Sequence, residues 1–386
     1  MTDSDRHILV LAGEPSGDVH GADLISAMRE HDSSLIFHGI GGPCMASAGT
    51  RLFFSIDQLS AMGLLEVLRQ IRPVKLAFDL FRHHLKTIRP ALLILVDYPG
   101  FNLRAAAYAK THSRTKIFYY IPPKVWAWNR SRLKQMKQSI DHAGLIFPFE
   151  EKIYKKAGIP ATYVGNPLLD QYPFPLHNSF KTRRDSRGPT IIGLLPGSRK
   201  NEIHALLPPV LAAAEKIHRC HPHVRFQVSA AESIPVDMIE SQVAAAQTPD
   251  LFQVISGNPR QIFEQADMLI AASGTITLEA ALCAVPTLIV YKMSSVTFHV
   301  ARALVKVKYA GLANIILNKE VMPELLQDAA TPENISAAAS RMLAQLDDYR
   351  QKLIPVRRLL GEPGAAARAA KIALALRHRN KNPEKT

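Results

Sequence analysis

The chain has 386 residues, 47% of them hydrophobic, and its 47 Lys and Arg against 33 Asp and Glu give a formal charge of +14. That length exceeds one ordinary core and implies two domains, while the charge points to a polyanionic partner or a generally basic surface. The cysteines, Cys44, Cys220 and Cys283, are odd in number and lack metal-ligand spacing, so a reduced, cytoplasmic compartment is expected; the first apolar run, Ile8 to Ala12, is too short for a secretory h-region.

In the first part of the chain, strands are predicted at Ile8–Ala12, Leu35–Gly39, Leu92–Val96, Ile117–Tyr120 and Gly144–Phe147. Amphipathic stretches at Ala22–Arg29, Leu64–Lys86 and Arg104–Lys110 lie between them. The apolar runs do not alternate strictly, as expected of strands buried on both faces in a parallel sheet flanked by helices. Gln171 to Thr190 is rich in Pro, polar and charged residues and reads as a linker. The pattern then restarts with strand Ile191–Leu195, a helix from about Asn201, strands Val224–Ala230, Phe252–Ile255 and Met268–Ala272, helix Thr275–Ala284 and strand Thr287–Val290. Leu269 to Tyr291 carries one charge, Glu279, but Ser273-Gly274-Thr275 and Pro286 break it into buried α/β core rather than a membrane span. The expected class is α/β, two doubly wound Rossmann-like domains at 1–170 and 191–345. A set of C-terminal helices at 346–386, broken at Pro355 and at Glu362-Pro363-Gly364, completes the chain. Two such domains leave a cleft, and ligands bind beyond the carboxyl ends of the strands.

Four strand-end motifs are candidates. Gly13-Glu14-Pro15-Ser16-Gly17-Asp18 opens a helix without the Gly-x-Gly-x-x-Gly of a dinucleotide site or the G-x-S-x-G of a nucleophile elbow. Its free N–H groups suit an anion, its carboxylates suit sugar hydroxyls or an amide, and Asp18 alternatively serves as a helix cap. In Leu194 to Ile203, Gly197, Ser198 and Arg199 join a buried strand to a helix; the glycine admits a phosphate, and Arg199 adds a forked cation. Ser273, Gly274 and Thr275 repeat the device, with Glu279 four residues on, either accepting two ribose hydrogen bonds or pairing with a base such as Lys292. Asp97 ends a central strand as a candidate general base or a cap for the following helix. Metal chemistry has little support, because Asp3-Ser4-Asp5 precedes the first strand and His83-His84 diverge on a helix. Leu59 to Lys86 and Val296 to Gly311 mix apolar groups with cations, as a membrane-surface patch or a core helix would. No nucleic-acid motif appears.

The motifs "LAGEPSGDVHGADLI", "GIGGPCM", "LSAMGLLEVL", "VDYPGFNLR", "PKVWAWNRSR", "FPFE", "LLPGSRKNEI", "ASGTITLEAAL" and "LANIIL" follow one another in this order. The sequence resembles the lipid-A-disaccharide synthase family from about Ile8 to Gln327. The resemblance implies an inverting glycosyltransferase of GT-B architecture, peripheral on the inner face of the Gram-negative cytoplasmic membrane. It implies UDP-2,3-diacylglucosamine as donor, 2,3-diacylglucosamine 1-phosphate (lipid X) as acceptor, UDP as leaving group, and no strictly required metal or other cofactor. By the same resemblance Asp97 is the general base, and Arg199 meets charge on leaving UDP. Gly197, Ser198, Ser273, Gly274, Thr275, Glu279 and Asn314 line the nucleotide site. Glu14, Ser16, Gly17, Asp18 and Asn102 belong to the acceptor side. Met62, Leu64, Leu65, Val67 and Leu68 hold acyl chains near the bilayer. Two departures, Pro122-Pro123-Lys124 where Ser-Pro-Ser is common and Gly100 where an acid is common, flank the acceptor site; Lys124 is the candidate for the acceptor's 1-phosphate. The family also implies a homodimer, with the C-terminal helices packed back on the first domain or exchanged. The rival readings are a UDP-sugar 2-epimerase or peptidoglycan glycosyltransferase of the same architecture, and a non-catalytic nucleotide-sugar binder.

Overall fold

The computed structural model describes residues 3–58, 67–127, 130–172, 188–293 and 308–379. The chain divides into two compact units, Met1–Asp170 with Glu362–Thr386, and Gln171–Gly361.

The first unit is built on a seven-stranded sheet in the order β3-β2-β1-β4-β5-β6-β7, parallel at every pairing. Its elements are β1 (His7–Ala12), α1 (Pro15–His31), β2 (Ile36–Gly41), α2 (Pro43–Ser47), β3 (Thr50–Ser55), α3 (Val67–Ile88), β4 (Leu92–Val96), α4 (Pro99–His112), β5 (Lys116–Tyr120), α5 (Arg132–Ser139), β6 (His142–Leu145), α6 (Glu150–Ala157), β7 (Ala161–Tyr163) and α7 (Leu168–Gln171). Every residue of β4 is buried, which follows from five successive aliphatics facing helical layers on both sides of the sheet. Leu9, Leu93, Leu95 and Tyr119 join one core layer with Phe81 of α3; Ile8, Val10, Ile94 and Phe118 join the other with Leu24 and Met28 of α1.

The second unit carries a six-stranded parallel sheet, β10-β9-β8-β11-β12-β13. Its elements are β8 (Thr190–Leu195), α8 (Lys200–Cys220), β9 (Val224–Ala230), α9 (Val236–Ala244), β10 (Phe252–Ser256), α10 (Arg260–Gln265), β11 (Met268–Ala272), α11 (Thr275–Leu282), β12 (Thr287–Tyr291), α12 (Leu312–Leu317), β13 (Glu324–Leu326), α13 (Pro332–Leu343) and α14 (Leu346–Leu360). The last helix, α15 (Ala365–Arg379), returns to the first unit.

The C-terminal boundary differs from expectation. Pro355 lies inside α14, which does not break there, and α14 belongs to the second unit rather than to a separate C-terminal set. Leu353, Val356 and Leu360 are its buried stripe, and burying that stripe outweighs the one helical bond that a proline deletes. Of the two predicted C-terminal breaks, only the one at Glu362-Pro363-Gly364 falls at a boundary between units. Ala369, Ala370, Ala373 and Leu376 put α15 into the core layer of α1, where alanines let two helices approach closely. Its N-terminus is capped by the Asp170 carboxylate, which accepts the N–H groups of Gly364 and Ala365. Near its other end, Arg377 donates twice to Asp32 at 3.0 Å. Of the predicted linker, 173–187 lie outside the described residues.

Candidate active site

Register brings β1, β4 and β5 side by side, with Ala12 opposite Val96 and Val96 opposite Tyr120. Glu14, Asp97 and Lys124 therefore follow three neighbouring strands at their carboxyl ends, where open parallel sheets bind ligands.

Asp97 sits in a constrained turn. Both Asp97 (φ 47°) and Tyr98 (φ 44°) are left-handed, a region costly for residues with a Cβ. Asn102, fully buried one turn into α4, holds them: its side-chain nitrogen donates to the carbonyls of Leu11 (3.2 Å), Val96 (3.1 Å) and Asp97 (2.8 Å). The Tyr119 hydroxyl donates to the Asp97 carbonyl at 2.8 Å as well. Asn102 was predicted to meet substrate; instead its amide is committed to the backbone, and its Oδ1 accepts nothing among the described residues. The Asp97 carboxyl is half-buried, and burial raises its pKa, against the nearby Lys124 cation and a Tyr98 N–H. The Lys124 side chain is exposed.

In the opening turn, Glu14 and Ser16 are exposed, while Gly17 and Asp18 are buried. Gly13 must be glycine, since a Cβ there would fall 2.0 Å from the Tyr98 ring. Asp18 caps a helix, but not its own. Its carboxylate accepts the N–H groups of Gly42 (2.7 Å), Cys44 (2.9 Å) and Met45 (3.0 Å), which open α2. Asp18 thus ties two turns together and offers no free carboxylate to a sugar.

In the second unit, β8 and β11 are adjacent, with Leu195 opposite Ala271, so the turns at Gly197–Arg199 and Ser273–Thr275 are neighbours. Gly197 has φ 123°, a conformation that favours glycine. The predicted anion position is filled by the chain itself. One Glu202 oxygen accepts the Ser198 N–H at 3.3 Å and the other binds Arg199 at 2.8 Å. The Arg199 side chain remains 66% exposed. Ser273 donates to the Ala310 carbonyl at 3.1 Å, while Gly274 and Thr275 are exposed.

Glu279 accepts a hydrogen bond from the Tyr172 hydroxyl at 2.8 Å; a tyrosine from the start of the linker, rather than Lys292, is its partner. Burial raises the Glu279 pKa, and the Tyr172 bond opposes the rise. Asn314 is fully buried and saturated, donating to Met322 O and Glu324 Oε1 at 2.7 Å and accepting from the Val321 and Met322 N–H groups. Glu324 in turn accepts the N–H groups of Ala310 and Gly311. Asn314 therefore shapes the 310–324 segment against Ser273 instead of presenting its own amide. Sequence reading missed Glu202, Tyr172 and Glu324; Glu202 alone carried a signal, a carboxylate three residues beyond the Arg199 cap.

Met62, Leu64 and Leu65 lie outside the described residues, as do the side chains of Val67 and Leu68. Farther along α3, Ala77, Phe81 and Leu85 are core, while Arg72, Lys75 and Leu76 are exposed. Of the second mixed stretch, 294–307 lie outside the described residues. Among the described residues no helix is long and apolar enough to cross a membrane, and no three His, Cys, Asp or Glu group as metal ligands.

A family model described as lipid-A-disaccharide synthetase matches residues 8–373. A lipid-A-disaccharide synthase of Trichlorobacter lovleyi is 37% identical over 379 residues, 96% of this chain and 97% of that protein. One from Coxiella burnetii is 36% identical over 375 residues, 96% and 98% of the two chains. Among solved structures, UDP-GlcNAc 2-epimerase from Neisseria meningitidis bound to UDP-GlcNAc aligns with TM-score 0.61 at 11% identity, covering 97% of this chain and 100% of that one. Acinetobacter baumannii MurG aligns with TM-score 0.60 at 14% identity, covering 95% and 99%. These likenesses, with two parallel α/β units, define the GT-B class. Within that class the near full-length family match separates this protein from the epimerases, which share only the fold. The chain belongs to the lipid-A-disaccharide synthase family, and it is a glycosyltransferase that forms the lipid A disaccharide.

Proposed function

We propose that the protein joins UDP-2,3-diacylglucosamine to the 6-hydroxyl of 2,3-diacylglucosamine 1-phosphate, giving the β-1′,6-linked disaccharide 1-phosphate and UDP. Asp97 takes the proton of the acceptor hydroxyl. The hydroxyl oxygen bonds to the donor's anomeric carbon as the bond from that carbon to the diphosphate oxygen breaks, and the electron pair leaves on UDP with inversion. A carboxyl raised by burial holds that proton more strongly than a solvated one. Arg199 and the turn N–H groups meet the charge developing on the diphosphate; this reading requires no metal. Glu279, steadied by Tyr172, offers its other oxygen to the ribose hydroxyls. Glu14 and Ser16 are the exposed groups of the acceptor turn, and Lys124 takes the acceptor's phosphate. The enzyme works as a homodimer, peripheral on the inner face of the cytoplasmic membrane. Met62, Leu64, Leu65, Val67 and Leu68 hold the acyl chains there, and no nucleic acid takes part.

The observation that carries this reading is the half-buried Asp97 carboxyl at the end of β4, its backbone locked by Asn102 and Tyr119. The test is UDP release from the donor in detergent micelles, with and without acceptor. Asp97→Asn is expected to lower acceptor-dependent release by about 10²- to 10⁴-fold while UDP binding is retained. Unchanged turnover in that variant removes Asp97 as base, and no acceptor-dependent release from the native chain removes the reaction.

A further inference from the structure

Glu150, in the Phe147-Pro148-Phe149-Glu150 motif, has no part in the chemistry above, yet it is a carboxyl only 1% exposed. Burying a carboxyl is expensive unless its oxygens are well bonded. One Glu150 oxygen accepts the Trp126 indole N–H at 2.8 Å, and the other accepts the Phe147 N–H at 3.1 Å. Trp126 is 7% exposed. It stands edge-on to Phe147 and Phe149, with ring centres 6.0 and 5.2 Å away.

The segment that carries Trp126 has few ties of its own. It begins at Ile121, a β-branched residue in the left-handed region at φ 56°. Pro122 and Pro123 follow and have no N–H to donate. Among the described residues its backbone bonds, beyond the Ile121 N–H bond to Gly144 O, are short-range turns: Val125 N–H to Pro123 O at 2.7 Å and Ala127 N–H to Lys124 O at 3.0 Å. The indole–carboxyl bond thus anchors the far side of a turn whose exposed tip is Lys124. The Lys124 cation acts on two carboxyls at once, Asp97 and Glu150.

We propose that Glu150 is a positioning residue: through the Trp126 indole it holds the 121–127 turn so that Lys124 stands beside Asp97 at the acceptor site. This rests on the acceptor-side reading of Asp97 and Lys124. Burial pushes the Glu150 carboxyl up to about 7, overcoming the Trp126, Phe147 and Ile146 hydrogen bonds and the Lys124 charge that favour the ionised form. The other titratable groups acting with it are Tyr154, one turn along α6, and Tyr163 of β7, both with pKa values raised by burial.

The chain has two tryptophans, so ¹⁵N-labelling the indoles and replacing Trp126 with Phe assigns the signal that reports on Glu150. Between pH 5.5 and 8.5 the Trp126 indole N–H signal is expected to titrate with a midpoint of about 7. Lys124→Met should raise that midpoint by roughly half a pH unit, and Glu150→Gln should abolish the titration in a folded protein. In turnover, Trp126→Phe should raise the acceptor KM at least about fivefold with the donor KM within about twofold, and should add nothing to Lys124→Met. A midpoint indifferent to Lys124→Met, or equal rises in both KM values with a fall in Tm, would overturn the proposal in favour of a purely structural carboxyl. If the native chain forms no disaccharide, the reaction assignment fails, while the indole titration still decides the link from Glu150 to Lys124.

Discussion

Asn102→Ala separates a structural from a catalytic reading of the acceptor turn. The substitution deletes one nitrogen that donates to three carbonyls inside a fully buried position. The amide NH2 has two hydrogens, so the three contacts amount to two bonds with one hydrogen shared, and at about 1 kcal/mol per bond the direct loss is ~2 kcal/mol. Part of it returns: Asp97 and Tyr98 are held at φ 47° and 44° and such residues each store about 1–3 kcal/mol, of which the remaining Tyr119 bond to the Asp97 carbonyl lets only a fraction relax. The net destabilisation is then ~1 kcal/mol. The same relaxation moves the carboxylate, and a misplacement of about 1 Å costs on the order of 10²-fold in rate. Urea denaturation gives the first quantity, acceptor-dependent UDP release the second, and calorimetry with UDP a control expected to stay within about twofold of native. A variant destabilised by ~1 kcal/mol that still turns over at the native rate would refute the argument that Asn102 acts by fixing Asp97.

Other perturbations follow from the same contacts. The Glu150 carboxyl has a folded pKa of about 7, above its ordinary 4.5. Its favourable contribution is therefore complete below 4.5 and is lost as pH rises through 7. At 1.36 kcal/mol per pH unit, native protein should lose about 3 kcal/mol of stability relative to Glu150→Gln across that window; parallel denaturation profiles of the two from pH 4.5 to 8 would contradict this. Glu202→Gln should tighten UDP binding about fivefold, since a charge-bearing competitor for the Ser198 N–H and Arg199 is removed; weaker binding by calorimetry would show that Glu202 assists the diphosphate. Arg377→Ala breaks a pair in which the arginine is 4% exposed, so about 2 kcal/mol of stability should be lost. Hydrogen exchange in α15 should accelerate, and native-like protection there would count against that helix being pinned by Arg377.

Much of this was legible in local pattern. β4, β9 and β11 were predicted at their observed bounds, because a run of aliphatics between turn signals has one stable use in a parallel α/β sheet. The turns at Glu14, Asp97, Gly197 and Ser273 were found because glycine and proline punctuate strand ends, and the ordered motifs identified the family. β3, β7 and β13 went unseen; they are edge strands, and the two shorter ones span three residues each, none of them fully buried. They form because a neighbour supplies hydrogen bonds, not because their own sequence demands it.

Side-chain roles divided along a different line. A sequence shows that an Asp, an Asn or a Glu stands beside a turn, and the residue types alone set what chemistry is available there. Which lone pairs and N–H groups remain free depends on partners distant in the chain. Asp18 meets the N–H groups opening α2, Asn314 meets Met322 and Glu324, and Asn102 meets Leu11, 91 residues before it. Glu279 meets Tyr172, 107 residues before it, and Glu150 meets Trp126. Apart from the local Asn314 contacts, 8 and 10 residues along the chain, these pairs meet only once the fold has brought separate segments together. The motifs by themselves determined the family and the reaction class. Tertiary structure decided which polar groups are consumed in holding the backbone and which are left to meet a ligand, because a buried hydrogen-bonding group must find a partner and only the folded chain determines which one.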